Sequence, residues 1–179
     1  MALPERIVSA DKHLARIGLA LALAAVGCVA DLWSKRFMFG WLGGPPSQIW
    51  WIWEGYAGFE TSINTGGLFG IGQGGVFWLA IVSIGATIGL LIWLVRGEVT
   101  RSLLLTVAVG MILGGVLGNL YDRLGLWGIA GVRDWILLRY GTFTWPNFNI
   151  ADSLLVCGAV ILGIFAFKQP HAPSQVDDG

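Results

Sequence analysis

The residues able to do chemistry in this chain are few and mostly acidic. Only 12% of its 179 residues are charged, about half the share of an ordinary soluble domain. Asp31, Asp122, Asp134 and Asp152 stand among Asn64, Asn119 and Asn149 and the cations Lys35 and Arg123. His13 and His171 lie near the two ends, away from these acids, so no Ser or Cys has a His beside it as general base, and no His spacing suits a metal. Carboxylates are what remains. Two of them close together cannot both ionise cheaply, so they share one proton. One then serves as general base to a water while the protonated one polarises a carbonyl. That is aspartic-protease chemistry. The four aspartates allow six pairings, and a carboxylate set for proton-coupled transport uses the same residue types.

Spacing indicates how these side chains are carried. Asp31 and Lys35 are i, i+4, as are Asn119 and Arg123, while Asn149 and Asp152 are i, i+3. Each set therefore shares one face of a helix. The helices follow from the apolar runs. Over half the chain (55%) is hydrophobic, and a membrane span needs about 20 such residues. Gly74–Val95 is 22 residues without a charge and Ser102–Tyr121 is 20, with the charged turn Arg96–Arg101 between them. Only 14 uncharged residues separate Arg16 from Asp31, and only 15 separate Asp152 from Lys168. Those two spans must extend past their acids, which puts Asp31 and Asp152 about a turn inside the membrane edge. A carboxylate at that depth is costly and marks a functional site. The expected spans are about 15–34, 74–95, 102–121 and 148–167, within one integral membrane domain, 1–179.

Phe37–Trp53 is also uncharged, but Gly43-Gly44-Pro45-Pro46 interrupts it, and a Pro-Pro pair cannot sit in an intact helix. This segment is expected to lie on the membrane surface, with residues 48–53 and 59–64 as two short strands around a Glu54–Gly58 turn. Trp41, Trp50, Trp51 and Trp53 suit an interfacial belt. The expected fold class is thus an all-α membrane protein: a four-transmembrane-helix bundle with a small extracytoplasmic β-rich cradle between helices 1 and 2, about 40–66. Residues 123–147 form an extracytoplasmic loop in this reading. Gly110, Gly114 and Gly118 on the third span, and Gly85 and Gly89 on the second, are spaced for close helix contact.

Eleven basic and eleven acidic residues leave no net charge, so nothing points to nucleic acid. The two cysteines, Cys28 and Cys157, both fall in spans and read as small packing residues. Residues 1–28 imitate a secretory signal, with a basic start and an apolar run. Three further spans follow, so the segment is expected to stay in place. Arg6, Lys12, Arg16, Arg96, Arg101 and Lys168 fall on the side of the termini, against Lys35, Arg36, Arg123, Arg133 and Arg139 on the other. That bias favours cytoplasmic termini. Every polar cluster then meets at the extracytoplasmic face. The middles of the spans carry only Ser83, Thr87 and Thr106, too little polarity for a proton relay.

Five short motifs occupy these clusters in order. They are Asp31-Leu-Trp-Ser-Lys35, Asn64-Thr-Gly-Gly-Leu-Phe69, Gly118-Asn-Leu-Tyr-Asp-Arg123, Val132-Arg-Asp-Trp135 and Phe148-Asn-Ile-Ala-Asp152. In this order, over residues 12–168, the sequence resembles the lipoprotein signal peptidase (signal peptidase II) family, the bacterial intramembrane aspartyl proteases. Leu68 stands where that family has Ala, and Trp135 where it has Phe. The stretch 40–56 is the least family-like.

The resemblance implies a hydrolase whose catalytic dyad is Asp134 and Asp152, with no cofactor and no metal. It implies that Asn64, Gly66, Asn119, Arg123 and Asn149 bind substrate or orient the dyad, and that Asp31 and Lys35 brace the site. The implied partners are diacylglyceryl-prolipoprotein substrates and membrane lipids, with the chain monomeric. The implied reaction removes a signal peptide by cutting before the lipidated Cys, at the outer face of the bacterial inner membrane. Segment 40–60 is expected to fold over the mouth of the site as a lid.

Overall fold

The computed structural model describes residues 9–67 and 72–168. Leu68 and Phe69 of the second motif, Arg6 and His171 lie outside the described residues. The elements in chain order are α1 (Ala10–Leu42), β1 (Trp50–Trp53), β2 (Ala57–Asn64), α2 (Val76–Val95), α3 (Leu103–Arg123), β3 (Val132–Tyr140), β4 (Phe143–Phe148) and α4 (Ile150–Phe167). All four helices are long and apolar enough to cross a membrane. A short 3-10 turn, Val99–Arg101, precedes α3.

Helix α1 continues through Phe37 to Leu42 before Gly43, at φ 89°, ends it ahead of the two prolines. Its 33 residues rise about 50 Å, so its last turns stand clear of a hydrocarbon core of about 30 Å. Helix α3 is the hub and packs against α1, α2 and α4. Glycine makes this possible. A Cβ on Gly110 would lie 2.9 Å from Ala20 O, and one on Gly114 2.9 Å from Ala24 O, so no larger residue fits where α3 crosses α1. Gly158 does the same for α4 against Ala108 of α3. Gly85 and Gly89 are different: nothing lies within 4 Å of a Cβ at either. Their spacing on α2 does not mark a helix contact among the described residues.

The sheet is larger than the sequence suggests. Its four antiparallel strands run in the order β1-β2-β3-β4. The pair β1–β2 comes from between α1 and α2, but β3–β4 comes from between α3 and α4. The β element is therefore not confined to residues 40–66, and 123–147 is not merely a loop. Strand β3 escapes pattern reading because Val132, Arg133 and Asp134 are all buried in succession, with none of the alternation of a half-buried strand. Strand β4 contains Pro146, which a sheet tolerates because β4 is an edge. Gly141, at φ 57°, closes the tight turn between them. Strand β3 touches both α1 and α3, which hangs the sheet on one end of the bundle.

Candidate active site

The site grows from the first turn of α4. Asn149 is its N-cap, and its side-chain Oδ1 accepts the Asp152 amide at 2.9 Å. The Asp152 carboxylate returns the bond, its Oδ2 accepting from Asn149 N at 3.3 Å. This capping box satisfies two amides that a helix start leaves free. It also fixes Asp152 at the helix end. The Asn149 amide nitrogen faces the other way and donates to Asp134 Oδ1 at 2.7 Å. One asparagine side chain thus ties the acid of α4 to the acid of β3.

A second asparagine steadies the pair. Asn119 of α3 donates from Nδ2 to Asp152 Oδ1 at 2.8 Å. Its own Oδ1 accepts from Lys35 Nζ at 2.9 Å. Lys35 is fully buried and also pairs with Asp31 Oδ2 at 2.6 Å and with Asp122 Oδ2 at 3.2 Å. Asp31 reaches across to α4, its Oδ1 accepting from Ala151 N at 2.9 Å. Asp122 is held by Arg133, whose Nη2 lies 2.6 Å and Nε 3.1 Å from Oδ1, while Arg133 N donates to Oδ2 at 3.0 Å. Two acids and two bases thus close a buried network in which no charge lacks a partner, the arrangement that makes burial tolerable.

Asp134 is almost completely buried, at 1% exposure, and stands opposite Ser62 in the β2–β3 register. Its carboxyl is pushed up to about 8 from an ordinary 3.8. Burial is the main cause and the nearby Asp152 charge the second; the Asn149 hydrogen bond, the Lys35 charge and the Asn64 side chain oppose them. The shift favours the protonated form of this carboxyl near neutral pH. Asp152 faces a cavity of about 370 Å³ whose walls include Asn64, Arg123, Trp145, Asn147 and Cys157.

All nine residues singled out in the sequence lie at this end of the bundle, in different roles. Asp134, Asp152, Asn119, Asn149, Asp31 and Lys35 form one connected network. Asn64 lines the cavity and closes its own turn, its Oδ1 accepting from Gly66 N at 2.9 Å and its Nδ2 donating to Gly67 O at 3.2 Å. Arg123 lines the cavity with a buried Nε that has no hydrogen-bond partner, and makes no ion pair among the described residues. Asp122 does form ion pairs, with Arg133 and Lys35 rather than with adjacent Arg123. Two contributors escaped the sequence reading. Arg133 sits inside a quoted motif, and only the fold brings it to Asp122. Asn147 reaches over from β4 to Glu60 Oε2 at 3.0 Å, and nothing in its spacing announces that contact. Among the described residues no group of three or more His, Cys, Asp or Glu is placed to hold a metal.

Comparison with known proteins gives this geometry a family. The solved structure of a bacterial membrane enzyme determined by the in meso method at 2.3 Å superposes with a TM-score of 0.74, at 24% identity, over 84% of this chain and 88% of that one. A second such structure, at 1.9 Å, gives 0.71 over 86% and 95%; at this identity the likeness is one of fold. Among named proteins, the lipoprotein signal peptidase of Rhodopirellula baltica is 46% identical over 92% of this chain and 78% of its own length. That of Methylorubrum extorquens is 39% identical over 89% and 91%. The model of signal peptidase (SPase) II matches residues 23–168, a stretch holding all five motifs and the whole buried network, and the chain belongs to that family of aspartic peptidases.

Proposed function

We propose that this protein removes signal peptides from diacylglyceryl-modified prolipoproteins, hydrolysing the peptide bond before the lipidated Cys with Asp134 and Asp152 as the catalytic pair. The observation that carries this reading is the Asn149 side chain held between the two acids, accepting from the Asp152 amide and donating to Asp134. Asp134 enters the reaction protonated and polarises the scissile carbonyl. Asp152, on the cavity wall, takes the proton of the attacking water. Asp134 passes its proton to the carbonyl oxygen to give a gem-diol. As that collapses and the C–N bond breaks, the leaving amine collects the proton held by Asp152 and one gem-diol hydroxyl returns its proton to Asp134. The dyad thereby returns to one shared proton. Asn64 and Arg123 line the path of the substrate strand. Asp31 and Lys35 brace the site through Ala151 and Asn119.

The placement fits the substrate. Its signal helix and its diacylglyceryl chains both stay in the bilayer, and the bond between them reaches the interface, where α4 begins. We place this end of the bundle at the outer face of the inner membrane, with both termini cytoplasmic. Strands β1 and β2 stand at the same end, and segment 40–60 acts there as a lid over the substrate.

A transporter using these acids as a proton relay is disfavoured by the mid-span hydroxyls. Ser83 donates to Leu79 O, Thr87 to Ser83 O and Thr106 to Ser102 O. Ser83 Oγ also accepts from Arg123 Nη1 at 3.5 Å, which ties it to the active-site end, and no described hydrogen bond carries on from there to Thr106 as a polar thread across the span. The deciding experiment is cleavage of a lipidated precursor by the purified protein in detergent. Asp134→Asn and Asp152→Asn should each lose about 10³-fold or more, since general acid–base terms are worth 10²–10⁴ and a dyad acts as a unit. Near-normal turnover by either variant removes that residue from the pair.

A further inference from the structure

Helix α1 has a second face that the catalytic network does not use. Asp31, Ser34, Lys35 and Met38 turn into the protein. On the other side Val26, Val29, Trp33 and Phe37 are each more than half exposed. Two shallow, open hollows, each lined by α1 alone, run along this outer face and meet at Trp33. The lower, about 420 Å³, is wholly aliphatic apart from that indole, between Ala25, Val26, Val29 and Ala30. The upper, about 460 Å³, is formed by Trp33, Arg36, Phe37, Gly40 and Trp41. Its floor is open because Gly40 has no side chain and nothing lies within 4 Å of where a Cβ would be. Trp33 and Phe37 stack at 5.6 Å, and Phe37 and Trp41 lie 6.3 Å apart, so the aromatic wall is preformed.

Arg36 is the one cation in this groove, and it has no ion pair or hydrogen bond among the described residues. The 18 residues of α4 rise about 27 Å, close to the thickness of a hydrocarbon core. The first turn of α4 therefore marks the core boundary on the active-site side. Asp31 accepts from Ala151 N in that turn, which pins α1 at the same height. Five residues on, Arg36 stands about 7.5 Å higher, at the outer part of a headgroup layer roughly 5–7.5 Å deep on each side. The aliphatic concavity falls just inside the core.

We propose that this outer face of α1 is a binding site for a membrane phospholipid, with the Arg36 guanidinium on the lipid phosphate, the Trp33–Trp41 aromatics around its glycerol and the Val26–Ala30 groove along an acyl chain. The charge and the depth select this occupant. A guanidinium at phosphate level satisfies its fork of donors on phosphate oxygens. A second transmembrane helix laid in the same groove would meet protruding Trp33 and Phe37 instead of small residues, and would bury an unpaired cation. The site shares no lining residue with the catalytic cavity.

The test is native mass spectrometry of the purified, delipidated protein titrated with phosphatidylglycerol, with precursor cleavage measured on the same preparations. The wild type should hold one phosphatidylglycerol that Arg36→Gln binds about tenfold or more weakly, the scale of a lost charge-assisted hydrogen bond. Arg36→Lys should recover part of the affinity, and Trp33→Ala should lose it with Arg36 intact. Cleavage in detergent should be unchanged in all three, so a failed lipid site and a failed peptidase are told apart. Equal retention by Arg36→Gln overturns the proposal. So does equally tight binding of a diacylglycerol, which has no phosphate. Disulfide-linked dimers of Val29→Cys in native membranes would also overturn it, by showing the groove filled by a second copy.

Discussion

Lys35 donates from Nζ to Asn119 Oδ1 at 2.9 Å, and this contact decides which way the Asn119 amide points. With its oxygen held by the ammonium, Asn119 must turn Nδ2 outward, and Nδ2 meets Asp152 Oδ1 at 2.8 Å. A lysine that never touches Asp152 thereby orients the group that does. Lys35→Met should lower kcat by about 10-fold or more through Asn119 while changing KM little. It should also cost several kcal/mol, because Asp31 and Asp122 lose a buried counter-ion. Adding Asp31→Asn removes the stranded charge, so the double variant should melt higher than Lys35→Met alone and stay slow. A double variant no more stable than the single would break the network argument.

The proton on Asp134 gives a pH signature. Activity should hold through neutrality and decline as pH rises through about 8, where Asp134 loses its proton. Stability has its own sign. The folded carboxyl titrates above its ordinary 3.8, so the folded state binds more protons than the unfolded chain between those values. Stability from this group is full below about pH 4 and drains away as pH rises toward 8. Asp134→Asn has no such proton to lose. Its melting temperature should match the wild type near pH 4 and exceed it increasingly up to pH 8; a constant difference would contradict the shift.

Cys157 changes what a thiol reagent should do. The carboxylate mechanism uses no cysteine, and from the sequence alone thiol reagents are expected to leave activity intact. The structure puts Cys157, exposed, on the cavity wall five residues from Asp152. A membrane-permeant alkyl maleimide should therefore block cleavage by filling the cavity. Cys157→Ala should be active and resistant, and Cys28→Ala active and sensitive. Full activity of labelled wild type would show that the substrate does not use this cavity.

Two glycines on different helices make a paired test of packing. A Cβ on Gly118 would lie 2.5 Å from Asp31 Oδ2, whereas one on Gly85 would meet nothing within 4 Å. Gly118→Ala should push Asp31 off both Lys35 and Ala151 N and cost about 1–3 kcal/mol. Gly85→Ala should be neutral or slightly stabilising by helix propensity. Thermal melting of the two variants in the same detergent decides.

Strand β1 carries Trp51 and Trp53 of the lid segment. Trp51 lies under the Arg139 guanidinium at 5.1 Å, so Trp51→Ala is expected to loosen the sheet. Trp53 is 65% exposed and stacks on Tyr56 at 4.5 Å. Trp53→Ala should leave melting unchanged and raise KM for a lipidated precursor. Wild-type kinetics in Trp53→Ala would remove the lid role.

Four apolar helices and the polar clusters at their ends were legible in the sequence, because spans are set by unbroken runs of apolar residues and by the cost of charge within them. The span lengths alone led to the expectation that Asp31 and Asp152 stand near the membrane edge. The Asn149–Asp152 spacing already contained the capping box, a purely local motif. The partner of Asp152 was different. Six pairings of four aspartates were open on the residues, and resemblance, not spacing, pointed to Asp134. Only the tertiary structure brings Asp134 against α4, because β3 is a strand whose buried Val132, Arg133 and Asp134 hide its period, and its place depends on pairing with β2 far away in sequence. The same holds for Asp122, whose neighbour in sequence is Arg123 and whose partners in space are Arg133 and Lys35. Local hydrogen bonds and hydrophobic runs are written along the chain. Which distant charges neutralise one another depends on how α1, α3 and β3 meet, and that is decided by close packing at Gly110, Gly114 and Gly118 together with the register of the sheet.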